Sequence, residues 1–237
     1  MRLDLYLFKN SLVQSRNKAR EMIKNRQVLV DNNLVTKVSF KVCKNCKIDI
    51  EEKTQYVGRA GDKLKGFFQE CRALHVKGLN CLDIGSSTGG FVQVLLEEGA
   101  SEVSAVDVGS EQLHSSLRDS KQIKLYEQTD IRDFKPNKKF ELVTCDVSFI
   151  GTQKILEDIN RLSSDKILIL FKPQFEVGIK IKRTTKGVVK DLVAIKRVKD
   201  KFKSKCFTLG WKLLESKKSI LKGKEGNEET FYYFTKT

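Results

Sequence analysis

A chain of 237 residues that is 40% hydrophobic and 32% charged, with two prolines and fifteen glycines, has the make-up of a globular protein, not a disordered or collagenous one. Its 45 lysines and arginines outnumber its acids by fifteen, with a surplus of six in residues 1–58, nine in residues 180–205 and none elsewhere. Such blocks suit a polyanion held by two surfaces, with a solvated lysine face as the alternative. The longest apolar run, residues 167–171, is far short of the roughly 20 residues that cross a bilayer, and no secretory leader is visible, so a cytoplasmic protein without a membrane partner is expected.

The first elements are short. Leu3, Leu5, Leu7 and Phe8 form a small apolar face before a break at Asn10-Ser11. Ser15 reads as the N-cap of a helix through Lys24, in which Ala19, Met22 and Ile23 recur at helical spacing. Val28-Leu29-Val30, a turn at Asp31-Asn32-Asn33, and Leu34-Val35 predict a hairpin, because Asn tolerates left-handed turn positions. Residues 1–50 therefore read as a small α+β module with a basic face at Arg2, Arg16, Lys18 and Arg20. Residues 51–62, polar and interrupted by glycine, read as a linker. Cys43 and Cys46 alone among the six cysteines have metal-like spacing, but four zinc ligands cannot be gathered here. No metal is expected, and the cysteines are read as reduced thiols.

Residues 63–237 alternate strand and helix. Strands are predicted at 80–84, 102–108, 123–127, 140–145, 166–171, 212–215 and 231–234, and helices at about 88–98, 110–118, 151–162 and 188–206. Strands separated by helices imply an α/β domain with a mostly parallel, seven-stranded sheet. The final run, following Gly226-Asn227, reads as a hairpin strand.

Chemistry concentrates where strands end. The strand closing at Ile84 runs into Gly85-Ser86-Ser87-Thr88-Gly89-Gly90, a turn in which glycines let backbone approach a ligand at a helix N-terminus. Ser87 occupies the second glycine position of a dinucleotide fingerprint, which argues against a nicotinamide enzyme. Asp107 ends the next strand, where a carboxylate can accept from both hydroxyls of a ribose, and Asp130 follows the third strand, near where a base would lie. Asp83, Gly85, Ser86, Ser87, Gly89, Gly90, Asp107 and Asp130 are therefore the candidate cofactor-binding residues. Asp146 and Lys172 follow two further apolar strands and would emerge on the same rim as a pair.

Residues 58–64, 83–91, 106–109, 112–113, 145–150, 171–176, 186–189 and 226–229, in this order, resemble the TlyA group of ribosomal RNA 2′-O-ribose methyltransferases, historically called hemolysin A. Arg2-Leu3-Asp4, Ser15-Arg16 and Val28-Leu29-Val30 resemble its small RNA-binding module. The resemblance implies a class I, Rossmann-like methyltransferase domain using S-adenosylmethionine, with ribosomal RNA or a ribosomal subunit as partner. Short termini resemble those of the group that methylates a cytidine of large-subunit RNA only. A Lys-Asp-Lys-Glu catalytic set would fall on Lys63, Asp146, Lys172 and Glu229, with Glu228 the alternative for the last. Lys172 could serve as base if Lys63 lowered its pKa, with the two acids orienting the lysines. Lys180, Lys182 and Arg183 would grip RNA from the second basic block. The chain departs from the group in lacking a proline at Ser219-Ile220 and in carrying Asp31-Asn32 at the hairpin.

Overall fold

The computed structural model describes residues 1–24, 27–43, 45–50 and 56–236, which fall in two compact units, Met1–Gln55 and Tyr56–Thr237. In the smaller unit, the apolar opening residues form helix α1 (Leu3–Lys9), not merely an apolar face, and α2 spans Arg16–Lys24. Ser15 caps α2, its Oγ accepting the Lys18 N–H at 3.1 Å. Strands β1 (Val28–Val30) and β2 (Asn33–Leu34) form the hairpin, with Asp31 and Asn32 both left-handed as its two-residue turn demands. A strand absent from the sequence reading, β3 (Ile48–Ile50), pairs with the other edge of β1. Leu3, Leu7, Ala19, Ile23, Val28 and Val30 make the core.

Two expectations for this region are corrected. Cys43 and Cys46 are joined in a disulfide, because the loop brings their Cα atoms to 5.3 Å, within bridging reach; the other four cysteines are free and buried. The segment read as linker to residue 62 enters helix α3 (Arg59–Glu70) at Arg59, while its residues 51–55 lie outside the described set.

The larger unit continues with β4 (Asn80–Ile84), α4 (Gly90–Glu97), β5 (Glu102–Val106), α5 (Ser115–Arg118), β6 (Ile123–Tyr126), β7 (Phe140–Cys145), α6 (Leu156–Leu162), β8 (Ser163–Phe171), α7 (Pro173–Glu176), α8 (Leu192–Thr208), β9 (Trp211–Lys218) and β10 (Thr230–Lys236). The helix expected over 110–118 shortens to α5, because Glu111 is left-handed and interrupts it. The sheet runs β6-β5-β4-β7-β8-β10-β9, with parallel pairing from β6 to β8 and β10 antiparallel to both neighbours.

Strand alternation builds the two faces. Ile167, Ile169 and Phe171 point into a core with α6 and α8, whereas Leu168 and Leu170 point into one with α3 and α4. Near-continuous apolar runs belong in a sheet covered on both sides. Among the described residues, no helix is long and apolar enough to cross a membrane.

Candidate active site

Parallel pairing brings the C-terminal ends of β4, β7 and β8 to one rim, and β10 starts there because it runs the other way. Ile84 lies opposite Cys145, and Phe171 opposite Thr230. Asp146 and Lys172 thus leave their strands beside the point where Glu229 enters β10. Helix α3 supplies Lys63 to the same place. Lys63, Lys172 and Glu229 are 7%, 7% and 3% exposed.

Buried charges need partners, and here each lysine has its own. Lys63 Nζ lies 2.6 Å from Glu229 Oε2, and Lys172 Nζ lies 2.7 Å from Asp146 Oδ1. Each acid thus holds one lysine, Glu229 beside Lys63 and Asp146 beside Lys172. Lys172 also donates to Ser148 Oγ at 2.9 Å, and Gln174 Nε2 donates to Glu229 Oε1 at 3.2 Å. Burial pushes the Asp146 carboxyl above its ordinary range, against the opposing pull of Lys172 and Lys63. Glu228, one residue before Glu229, is exposed and pairs with Lys218 at 3.2 Å. Two lysines and two acids sum to no net charge, and a proton can pass between Lys172 and Asp146 without changing that sum.

These groups open into a cavity of about 970 Å³, which residues 85–88 of the turn also line, while Gly89 and Gly90 lie outside its lining. Asp83 Oδ2, Ser86 Oγ and Gln174 Oε1, on residues of its wall, are buried and have no hydrogen-bond partner among the described residues. The other Asp83 oxygen accepts the Thr144 hydroxyl at 2.7 Å, and burial pushes the Asp83 pKa up to about 7. The turn's amides are less available than expected. Gly85 and Ser86 N–H donate to the Val106 carbonyl, Ser87 N–H to Asp107 and Gly89 N–H to the Ser86 carbonyl. A ligand here meets the Asp83 and Ser86 side chains.

Gly89 is left-handed at φ 93°, a conformation glycine adopts without strain. Gly90 serves packing: a Cβ there would fall 2.6 Å from the Gly61 nitrogen, so only glycine lets α4 approach the helix that carries Lys63.

The other predicted cofactor residues lie outside the cavity lining. Asp107 receives the Ser87 and Gly109 amides at 2.8 Å each, leaving further lone pairs on both oxygens. Asp130 is tied to Arg132, whose Nη2 is 2.6 Å away, and that guanidinium holds its carboxyl at about 2.

Several site residues escaped the sequence reading. Ser148 and Gln174, which brace Lys172 and Glu229, have ordinary polar side chains that only the assembled rim makes informative. Phe149 is 94% exposed at the cavity wall with left-handed backbone, and Ile179, also in the wall, is 91% exposed. Asn227 is buried, accepting the Val189 N–H and donating to the Gly187 carbonyl, so it ties the 183–189 loop to the start of β10. Of the second basic block, Arg183 lines the cavity and donates to the Gln174 and Gly178 carbonyls, while Lys180 and Lys182 lie outside its lining. In the smaller unit, Arg2, Arg16 and Arg20 gather on Asp4, and Lys18 pairs with Glu21.

Residues 56–236 match the FtsJ-like methyltransferase family and residues 1–46 the S4 domain. The chain is 48% identical over its full length, and that of its relative, to a Campylobacter jejuni protein named 23S rRNA (cytidine-2′-O)-methyltransferase TlyA. It is 35% identical, over 98% of its own length and 88% of the relative, to a Mycobacterium tuberculosis protein named 16S/23S rRNA (cytidine-2′-O)-methyltransferase TlyA. A solved structure from Streptococcus thermophilus, provisionally called a hemolysin, superposes with a TM-score of 0.72 at 29% identity, covering all of this chain and 88% of that one.

Proposed function

The chain belongs to the TlyA family of ribosomal RNA 2′-O-methyltransferases, and from that premise we propose that it methylates the ribose 2′-hydroxyl of a cytidine in large-subunit RNA. The two buried ion pairs, Lys63–Glu229 and Lys172–Asp146, set on the strand rim and open to the cavity, carry the reading. The greater identity to the relative named for 23S RNA alone favours the large subunit over both.

S-adenosylmethionine, when bound, supplies a methyl group on a sulfonium that a ribose oxygen attacks in line. Asp83 and Ser86, with their unpartnered buried oxygens, fit the cationic and polar groups of that cofactor, and Asp107 retains lone pairs for its ribose. Lys172 takes the 2′-hydroxyl proton. It must first release its own, and Asp146 can hold that proton because burial raises the carboxyl's proton affinity. Lys63 and Glu229 fix the opposite wall, and Ser148 orients the Lys172 amine. Positioning hydroxyl and methyl together supplies much of the rate. Phe149 and Ile179 offer apolar surface against which an unstacked base can lie.

Methylation of purified ribosomal subunits lacking the modification, followed by mass mapping of ribose methyls, tests the assignment. Methyl transfer to a cytidine of the large subunit alone is expected. Methylation of both subunits would overturn the subunit choice, and methylation of a base would overturn the chemistry.

Asp83 gives cofactor binding a pH dependence. Ionised Asp83 attracts the cofactor's ammonium and protonated Asp83 does not, so affinity should fall as pH drops below about 7, by up to about tenfold per unit. Calorimetric titration of the wild type and Asp83→Asn at pH 6 and 8 checks this. The asparagine variant should bind weakly at both; equal wild-type affinity at both pH values would remove Asp83 from the ammonium site.

A further inference from the structure

Three arginines of the smaller unit converge on a single buried carboxylate. Asp4, in α1, is fully buried, and it accepts from Arg2 Nε at 3.0 Å, Arg16 Nε at 2.9 Å and Arg20 Nε at 3.2 Å. Arg16 and Arg20 stand one turn apart on α2, so they share a face, and Arg2 precedes α1 as its N-cap residue. Burial alone would raise the Asp4 carboxyl, but hydrogen bonds from the three guanidiniums outweigh it and hold the group well below the usual carboxylate range. The cluster keeps a surplus of two positive charges, and its arginine side chains remain 48%, 42% and 44% exposed. Arg16 and Arg20 are each gripped by Nε alone, and their terminal nitrogens have no partner among the described residues. Arg2 adds a longer Nη2 contact of 3.4 Å.

We propose that Asp4 is a positioning residue that assembles Arg2, Arg16 and Arg20 into one phosphodiester-binding site, holding their inner edges and presenting their outer ones. This deepens the reading of the smaller unit as an RNA-binding module and rests on it. Without the shared acceptor, three like charges this close repel, and long side chains spread over many rotamers. With it, planar donor forks are fixed before the phosphate arrives, which lowers the ordering cost of binding.

The proposal fixes the sign of one substitution. Asp4→Asn removes a negative charge, so charge alone predicts tighter RNA binding, whereas loss of positioning predicts weaker binding. With full-length protein and large-subunit ribosomal RNA, Asp4→Asn should bind roughly tenfold more weakly, about the effect of one charge-assisted hydrogen bond. The log–log salt slope should shrink by about one unit for each phosphate no longer engaged. Cofactor affinity should stay at the wild-type value. Should Asp4→Asn fail to fold, the double variant Arg16→Lys/Arg20→Lys decides: it keeps every charge but loses the Nε edge, and should also weaken binding and flatten the slope. Wild-type or tighter RNA binding by a folded Asp4→Asn, or wild-type binding by the lysine pair, overturns the positioning role. Arg16→Glu/Arg20→Glu separates the two levels. If it too keeps wild-type RNA affinity, the module reading itself fails; if it weakens binding while the other variants do not, only the role of Asp4 fails.

Discussion

Lys172→Ala should lower the single-turnover rate of methyl transfer by on the order of a thousandfold, within the range that a positioned general base contributes, while cofactor and RNA binding persist. The lysine is the one group at the rim that touches Asp146, Ser148 and the cavity together. Removing it leaves Asp146 buried, but that carboxyl already sits above its ordinary range and can be neutralised by taking up a proton. The variant should therefore fold. Lys172→Arg makes the sharper comparison, because it preserves the ion pair but cannot give up its proton. Rapid-quench assays on large subunits should find both variants inactive. If arginine restored near wild-type turnover, Lys172 would be a charge, not a base.

Glu229→Ala should cost about 3–5 kcal/mol of stability, since removing one partner of a buried ion pair strands the other. Lys63 would be left with 9% of its side chain exposed and its ion-pair partner gone, the neighbouring Asp146 carboxylate being already paired with Lys172. Glu228→Ala should change stability by only about 0.5 kcal/mol or less, because its partners Lys218 and Lys222 lie at the surface. Chemical denaturation of the two variants compares neighbours that differ in side-chain environment alone. Equal losses would mean that the Lys63–Glu229 pair does not form in solution.

That contrast also shows how far the sequence could be read. Two adjacent glutamates look alike in one dimension; antiparallel register against β8 turns one inward beside Lys63 and leaves the next outside. The strands at 80–84 and 140–145 were legible because short, mainly apolar stretches stop at Gly85 and Asp146, although each holds an acid, Asp83 or Glu141. Asp130 stands at a strand end like Asp107, and its pairing with Arg132 two residues later is a local contact that strand-end position does not encode. Phe149 lies in the 145–150 stretch that carries the resemblance, but its exposure does not show in sequence, where an aromatic reads as a core residue. Helix α1 was missed for a related reason. Its buried face is only Leu3, Asp4 and Leu7, and an aspartate in the middle of it breaks the apolar pattern until the arginines that neutralise it are known.

Strand β10 carries a temporal consequence. It inserts between β8 and β9, pairing residues 230–235 with residues 166–171 made some sixty positions earlier. A growing chain on the ribosome can lay down β4, β5, β6, β7 and β8 and the glycine turn well before that insertion. Until then β8 is a bare edge, and Lys63 lacks the carboxylate that β10 brings. Partial products of synthesis can thus form most of the cofactor pocket but not the complete reactive rim. Assembly of the reactive rim therefore follows, in the order of synthesis, the strands that build the cofactor pocket.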